Sequence, residues 1–179
     1  MDCKKELVTL IGEEKYNELD KKIPEKFKQS VHIYYSSYLL QKSEQEILDF
    51  YSNMMQDNSQ GSIPKLTGNI MIVTNHLHDL LIKLVQVNET NKSILKKIIK
   101  FDLHYLIIFC TARYNIPDDY FIPMMRLKHF RNMVSHNFNE VMETSFYQAI
   151  NPISEGHLLI IFLTQLIRKK HEIHDMRQL

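Results

Sequence analysis

Residues 127–138 read Leu-Lys-His-Phe-Arg-Asn-Met-Val-Ser-His-Asn-Phe, and this stretch decides the fold that we predict. Because successive residues of a helix are about 100° apart, Asn132 and His136 lie nearly opposite the apolar stripe of such a helix, and Arg131 lies at its edge. We therefore expect Asn132 and His136 to point away from the chain's own core. The helix itself is predicted by apolar residues that recur at steps of three and four, namely Leu127, Phe130, Val134, Phe138 and Val141.

Arg131, Asn132 and His136 form the candidate site of this helix. Asn132 and His136 are four residues apart, so their side chains are neighbours on the helix surface. Arg131 and His136 are five residues apart, which places them about 140° from each other on an ideal helix. They converge only if the helix bends or ends near His136, or if a second copy of the helix faces the first.

These residue types can cleave RNA without a metal ion. A histidine can take the proton from a ribose 2′-hydroxyl or give one to the leaving 5′-oxygen, because its pKa lies near neutral pH. An arginine can hold a phosphate in a fork and stabilise the charge that develops on it, and an asparagine can orient the phosphate or the imidazole ring. The same residues are also ordinary on the solvated side of an amphipathic helix, so the pattern by itself leaves both interpretations open.

The order Arg131-Asn132-Met133-Val134-Ser135-His136 resembles the Arg-polar-x-x-x-His signature of the HEPN superfamily. These are all-helical domains, often dimeric, and many are metal-independent ribonucleases of toxin–antitoxin, abortive-infection and CRISPR-linked systems. Residues 122–130, which begin with Ile-Pro, precede the motif much as an Ile-Pro-aromatic helix start does in the HepT-like toxin branch. The resemblance spans about residues 121–146 and implies that Arg131, Asn132 and His136 are catalytic.

Residues beside the motif extend the candidate site. Arg126 and Lys128 flank the motif and favour the approach of a phosphate. His129 lies on about the same face as Asn132 and His136 but roughly 10 Å from His136, so only a dimer brings the two histidines closer. We therefore predict that Arg126, Lys128 and His129 contact RNA.

One position departs from the HepT-like pattern. In that branch a tyrosine two residues after the histidine receives AMP from a partner nucleotidyltransferase, whereas here the position is Phe138, which has no hydroxyl. By the resemblance we expect an RNA substrate, a homodimer whose two motif helices form one composite site, and an antitoxin or nucleotidyltransferase as a further partner. Phe138 argues against inactivation by AMP transfer.

Length and composition bound the other possibilities. A chain of 179 residues, 44% hydrophobic and 24% charged, can bury the core of one domain. Its net charge of +1 is too small for the protein as a whole to attract nucleic acid, so any RNA site must be a local patch of positive charge. The two cysteines are far apart in sequence, so we predict no disulfide. No run reaches about 18 apolar residues, so we predict no membrane span. The N-terminus is charged and lacks the apolar core of a signal peptide, so we predict a cytoplasmic protein. No metal or cofactor is predicted, since His76 and His78 lie about 200° apart on a helix and cannot chelate one ion.

The rest of the chain predicts helices joined by short breaks. In the first third of the chain we predict a helix over 2–20 broken at Gly12, a helix after Pro24 over 27–39, and a helix opened by a capping box at Ser43 and Glu46. A loop over 56–65, a helix over 66–87 and a helix from a cap at Thr90 or Ser93 to Tyr114 follow. The chain then breaks over 115–119, with Asp118 or Asp119 as the next cap, and ends in a helix over 155–176 capped by Ser154.

The predicted fold is all-α: an antiparallel helical bundle with extra N-terminal helices, assembled as a dimer. Residues 1–60 form an N-terminal helical extension and residues 61–179 a HEPN-like bundle, although the 56–65 loop fits equally well inside a single bundle. The predicted function is metal-independent RNA cleavage by a toxin or antiphage effector. Two alternatives stay open, a non-catalytic HEPN-like module that binds a nucleotide or a partner protein, and a helical interaction protein whose motif is accidental.

Overall fold

The computed structural model describes residues 2–28, 43–59, 63–136 and 146–176. Those residues form helices without any strand, so the all-α prediction is confirmed for them. A short 3₁₀ turn, Glu25–Phe27, follows the second helix. The helices are α1 (Cys3–Ile11), α2 (Glu13–Lys22), α3 (Glu44–Ser59), α4 (Ile63–Asn88), α5 (Lys92–Ile98), α6 (Leu103–Tyr114), α7 (Asp118–His136) and α8 (Phe146–Met176).

Helices α4, α7 and α8 pack closely around Gly156 of α8. A Cβ atom at Gly156 would lie 2.3 Å from Val73 Cγ1 on α4 and 3.4 Å from Leu127 Cδ2 on α7. Only a residue without a side chain lets these helices approach so closely. Gly156 therefore sets the spacing of α4 and α8, and α7, the helix that carries the candidate site, packs against both.

The N-terminal helices share the core of the other helices. Leu7 of α1, Leu19 of α2 and Phe27 of the 3₁₀ turn belong to the same cluster of buried side chains as α6 and α7. Gly12 separates α1 from α2 with a φ of 86°, which confirms the predicted break, since this region of backbone conformation favours glycine. An ion pair of 2.6 Å between Lys97 and Glu6 also ties α5 to α1. The predicted boundary near residue 60 stays a prediction.

Side-chain caps mark the starts of several helices, although some of the capping residues differ from the predicted ones. The capping box is confirmed, since Ser43 N–H donates to Glu46 Oε2 at 2.7 Å and Glu46 N–H donates to Ser43 Oγ at 3.2 Å. Asn91, rather than Thr90 or Ser93, caps α5. The predicted continuous helix up to Tyr114 is wrong, because the Asp102 side chain accepts from Tyr105 N–H and begins a separate helix there.

Two predicted interruptions are shorter than expected or absent. Helix α3 continues to Ser59 and α4 begins at Ile63, so most of the predicted 56–65 loop is helical. Pro64 lies in the first turn of α4, where its missing N–H has no helical partner to lose. Helix α8 runs through Pro152, so the predicted helix start at Ser154 is wrong; burial of Pro152 and Ile153 in the core favours the continuous helix. The predicted helix over 27–39, apart from its first two residues, lies outside the described residues, as do Phe138 and Val141.

Helix α4 forms much of the core. Within the described part of the chain, residues Thr67–Asn88 make up the one segment long and apolar enough to cross a membrane, with a mean hydropathy of 1.2. Leu77, Leu80 and Leu84 of this segment are completely buried by other helices. Packing inside the protein thus accounts for its apolar character.

Candidate active site at the end of helix α7

Helix α7 begins directly after a sharp turn. Asn115 ends α6 in the left-handed conformation with a φ of 52°. The carbonyl of Pro117 then accepts from the N–H groups of Tyr120 and Phe121. Asp118 and Asp119 lie in the first turn of α7 rather than at its cap, where their negative charges suit the positive end of the helix dipole.

The buried face of α7 differs from the predicted one. Asn132 is only 1% exposed and Arg131 only 7% exposed, so the expectation that Asn132 points away from the core is wrong. The reason lies upstream, where Phe121, Met124 and Met125 begin a second stripe at steps of three and four. This stripe continues through Lys128, Arg131 and Asn132, and all of these residues are buried.

Lys128 lies in the core and not beside the motif at the surface. It is 1% exposed, its Nζ donates to the backbone carbonyl of Phe27, and the same atom lies 3.5 Å from Nδ1 of His104. The expectation that Lys128 is open to a phosphate is therefore wrong for this structure. Burial lowers the pKa of Lys128 to about 8 and that of His104 to about 3, so the His104 ring is neutral at pH 7 and its Nδ1 can accept a hydrogen bond from Lys128.

The other two predicted RNA contacts also interact with the protein itself. Arg126 forms an ion pair with Glu155 of α8, which fixes its guanidinium beside the junction of the two helices. His129 is half-buried, with its ring 4.9 Å from that of Phe27 and 5.9 Å from that of Phe130. Both side chains retain partial exposure.

The motif ends where α7 meets the first half of α4. Ser135 is exposed, and its Oγ lies 3.6 Å from Sδ of Met71. His136 is the last residue of α7. One helical turn separates Asn132 from His136.

Helix α4 brings further polar residues into the core. His78 and Asp79 are each 5% exposed, and the sequence pattern gave no reason to expect a buried carboxylate there. His76 is half-buried with its ring 5.9 Å from that of Phe50, and burial lowers its pKa to about 4. It is therefore neutral at pH 7 and packs against α3. Among the described residues, no group of three or more His, Cys, Asp or Glu side chains is arranged to hold a metal ion.

Sequence reasoning did not find the contact of Lys128 with Phe27 and His104. The spacing did indicate that Lys128 is buried, because it follows Met124 and Met125 by four and three residues and so lies on the same face of the helix. Comparison of the chain with protein-family models, with curated proteins and with solved structures found no match. The candidate site therefore rests on α7 and its surroundings.

Proposed function

We propose that this protein is a metal-independent endoribonuclease of the HEPN type that acts in the cytoplasm as a toxin or antiphage effector. The observation that carries the proposal is the burial of Arg131, which is 7% exposed one turn before the end of α7. A buried charge is costly, and proteins keep such groups mainly where a network or a functional site requires them. A guanidinium held in this way is oriented in advance for a phosphate.

Each motif residue has one role in the proposed reaction. His136 takes the proton of the ribose 2′-hydroxyl, whose oxygen then attacks the adjacent phosphorus. Arg131 binds the non-bridging phosphate oxygens while the bond to the 5′-oxygen breaks, and Asn132, which is 1% exposed, orients the imidazole. The departing 5′-oxygen receives a proton from a histidine imidazolium, which leaves a 2′,3′-cyclic phosphate and a 5′-hydroxyl.

The proposed assembly is an antiparallel helical bundle that dimerises through α7. A second histidine facing the first would let one imidazole act as base and the other as acid. Ile122, Phe130 and Met133 support this arrangement, because these large apolar residues of α7 remain only partly buried. Arg126 and His129, which are partly exposed, are the side chains best placed to meet RNA beyond the scissile phosphate.

A second candidate is a non-catalytic module that binds a nucleotide or a partner protein such as a nucleotidyltransferase. Its support is the burial of Lys128 and Asn132, which are each 1% exposed, as core residues are. Under this alternative, the polar residues of α7 stabilise the fold and take no part in chemistry. Their substitution then changes the free energy of unfolding but no reaction rate.

The Arg131→Lys variant separates these two candidates. Lysine keeps the charge but cannot offer the bidentate fork, so RNA cleavage in EDTA is expected to fall by about 100-fold. Arg113→Lys, at an exposed position of α6, is the matched control and should cleave like wild type. If folded Arg131→Lys cleaves as fast as the control, Arg131 serves the fold alone and the non-catalytic module becomes the better account.

A further inference from the structure

Lys128 makes an unusual contact for a charged side chain in a protein core. Its ammonium group lies against the carbonyl of Phe27 and, at 3.5 Å, against the ring of His104. Neither neighbour carries a negative charge at pH 7. An apolar residue would fill this space without the cost of burying a charge, so the contact itself is the feature that requires an explanation.

The contact joins two parts of the chain that are far apart in sequence. Phe27 belongs to the 3₁₀ turn that follows α2, and its ring also packs on His129 at 4.9 Å. Nearby in the sequence, Lys22 of α2 donates to both carboxylate oxygens of Asp118, at 2.8 and 3.1 Å. The N-terminal segment is therefore fixed to α7 at its first turn and again at Lys128.

The second of these attachments lies next to the motif. Arg131 and Asn132 follow Lys128 by three and four residues, which is one helical turn on the same face. All three side chains are buried, so none can move independently of the helix. A shift or rotation of α7 at Lys128 would move Arg131 and Asn132 by a similar amount.

We propose that Lys128 is a positioning residue: by holding the Phe27 carbonyl and the His104 ring, it fixes the N-terminal segment to α7 and so sets where Arg131 and Asn132 stand. The consequence for catalysis rests on the proposed ribonuclease function. The attachment itself does not rest on that function, because it concerns only residues 22–28, His104 and α7. The N-terminal helices thus act on the site through this contact, without touching the substrate.

Amide hydrogen exchange on the full chain tests the attachment. Lys128→Met keeps the length of the side chain but removes the N–H donors, so the Phe27 carbonyl loses its partner. Exchange in residues 13–28 and 129–136 is then expected to accelerate by about tenfold, while residues 70–85 of α4 keep their protection. Lys169→Met, at an exposed position of α8, is the matched control and should change neither region.

Two results would overturn the proposal. One is unchanged protection of residues 13–28 and 129–136 in Lys128→Met. The other is an equal loss of protection in all helices, which would make Lys128 an ordinary core residue. Should Lys128→Met not fold, His104→Leu removes the other neighbour and leaves the charge in place, and its exchange is judged by the same criteria.

RNA cleavage kinetics of the same variants test whether Lys128 positions the catalytic residues. A displaced Arg131 lowers the rate of the chemical step more than substrate binding, so Lys128→Met should reduce kcat by about tenfold and change KM by less than about twofold. A reduction confined to KM would contradict a positioning role. If wild type itself cleaves no RNA, the proposed function fails, and the exchange experiment still decides whether Lys128 joins the N-terminal segment to α7.

Discussion

RNA cleavage by His136→Ala is expected to be slower than cleavage by wild type by about 100-fold to 10,000-fold, the usual contribution of a general acid or base. Alanine cannot accept the proton of the 2′-hydroxyl or return one to the leaving oxygen. His136 is the last residue of α7, and its substitution removes the proposed proton-transfer group. Initial rates on a fluorescent RNA, with folding checked by circular dichroism, measure the effect.

Ser135→Ala is the matched control for His136→Ala. Ser135 is the preceding residue, is exposed, and its Oγ lies 3.6 Å from Met71 Sδ. Its removal should leave the cleavage rate within about twofold of wild type, since surface substitutions rarely disturb a structure. Equal rates for His136→Ala and Ser135→Ala would remove His136 from the mechanism.

Gly156→Ala is expected to destabilise the protein by about 2 kcal/mol or more, as overpacked cores do. The new methyl group would lie 2.3 Å from Val73 Cγ1, a distance that requires a shift of atoms. Valine is branched at Cβ and stiff, so the strain falls on the spacing of α4 and α8. The free energy of unfolding in urea measures the effect.

Gly68→Ala provides the opposite outcome in the same protein. A Cβ atom at Gly68 meets nothing within 4 Å, and the residue lies within α4. Alanine should therefore raise the free energy of unfolding by about 0.5–1 kcal/mol through helix propensity.

The double variant Gly156→Ala with Val73→Ala should be destabilised by less than the sum of the destabilisations of the two single variants. Additive effects in that pair would show that Val73 does not limit the approach of the helices.

Signals that act within a few residues were predicted well from the sequence. Gly12 interrupts the first helix because its φ of 86° is available to glycine, and Ser43 with Glu46 closes a capping box through two backbone N–H groups. Neither feature depends on distant parts of the chain. The helical nature of α4 and α7 followed from periodicity for the same reason.

Features that depend on packing were harder to predict. The apolar stripe read from Leu127 marks one edge of the buried surface of α7. His104 of α6 and Phe27 contact Lys128 on a second buried edge, and Asn132 is buried as well. Pro152 stays inside α8, where Pro152 itself and Ile153 are buried. In both cases tertiary contacts outweigh a local preference, so the residues of the candidate site could be named while their burial could not.

The measurement that tests metal-independent RNA cleavage most directly is incubation of the wild-type protein, in excess EDTA, with an RNA and with the DNA of the same sequence. We predict that the RNA is cut to products with 2′,3′-cyclic phosphate and 5′-hydroxyl ends, and that the DNA, which lacks the attacking hydroxyl, stays intact. Intact RNA, loss of cleavage on adding EDTA, or equal cleavage of the DNA would contradict it.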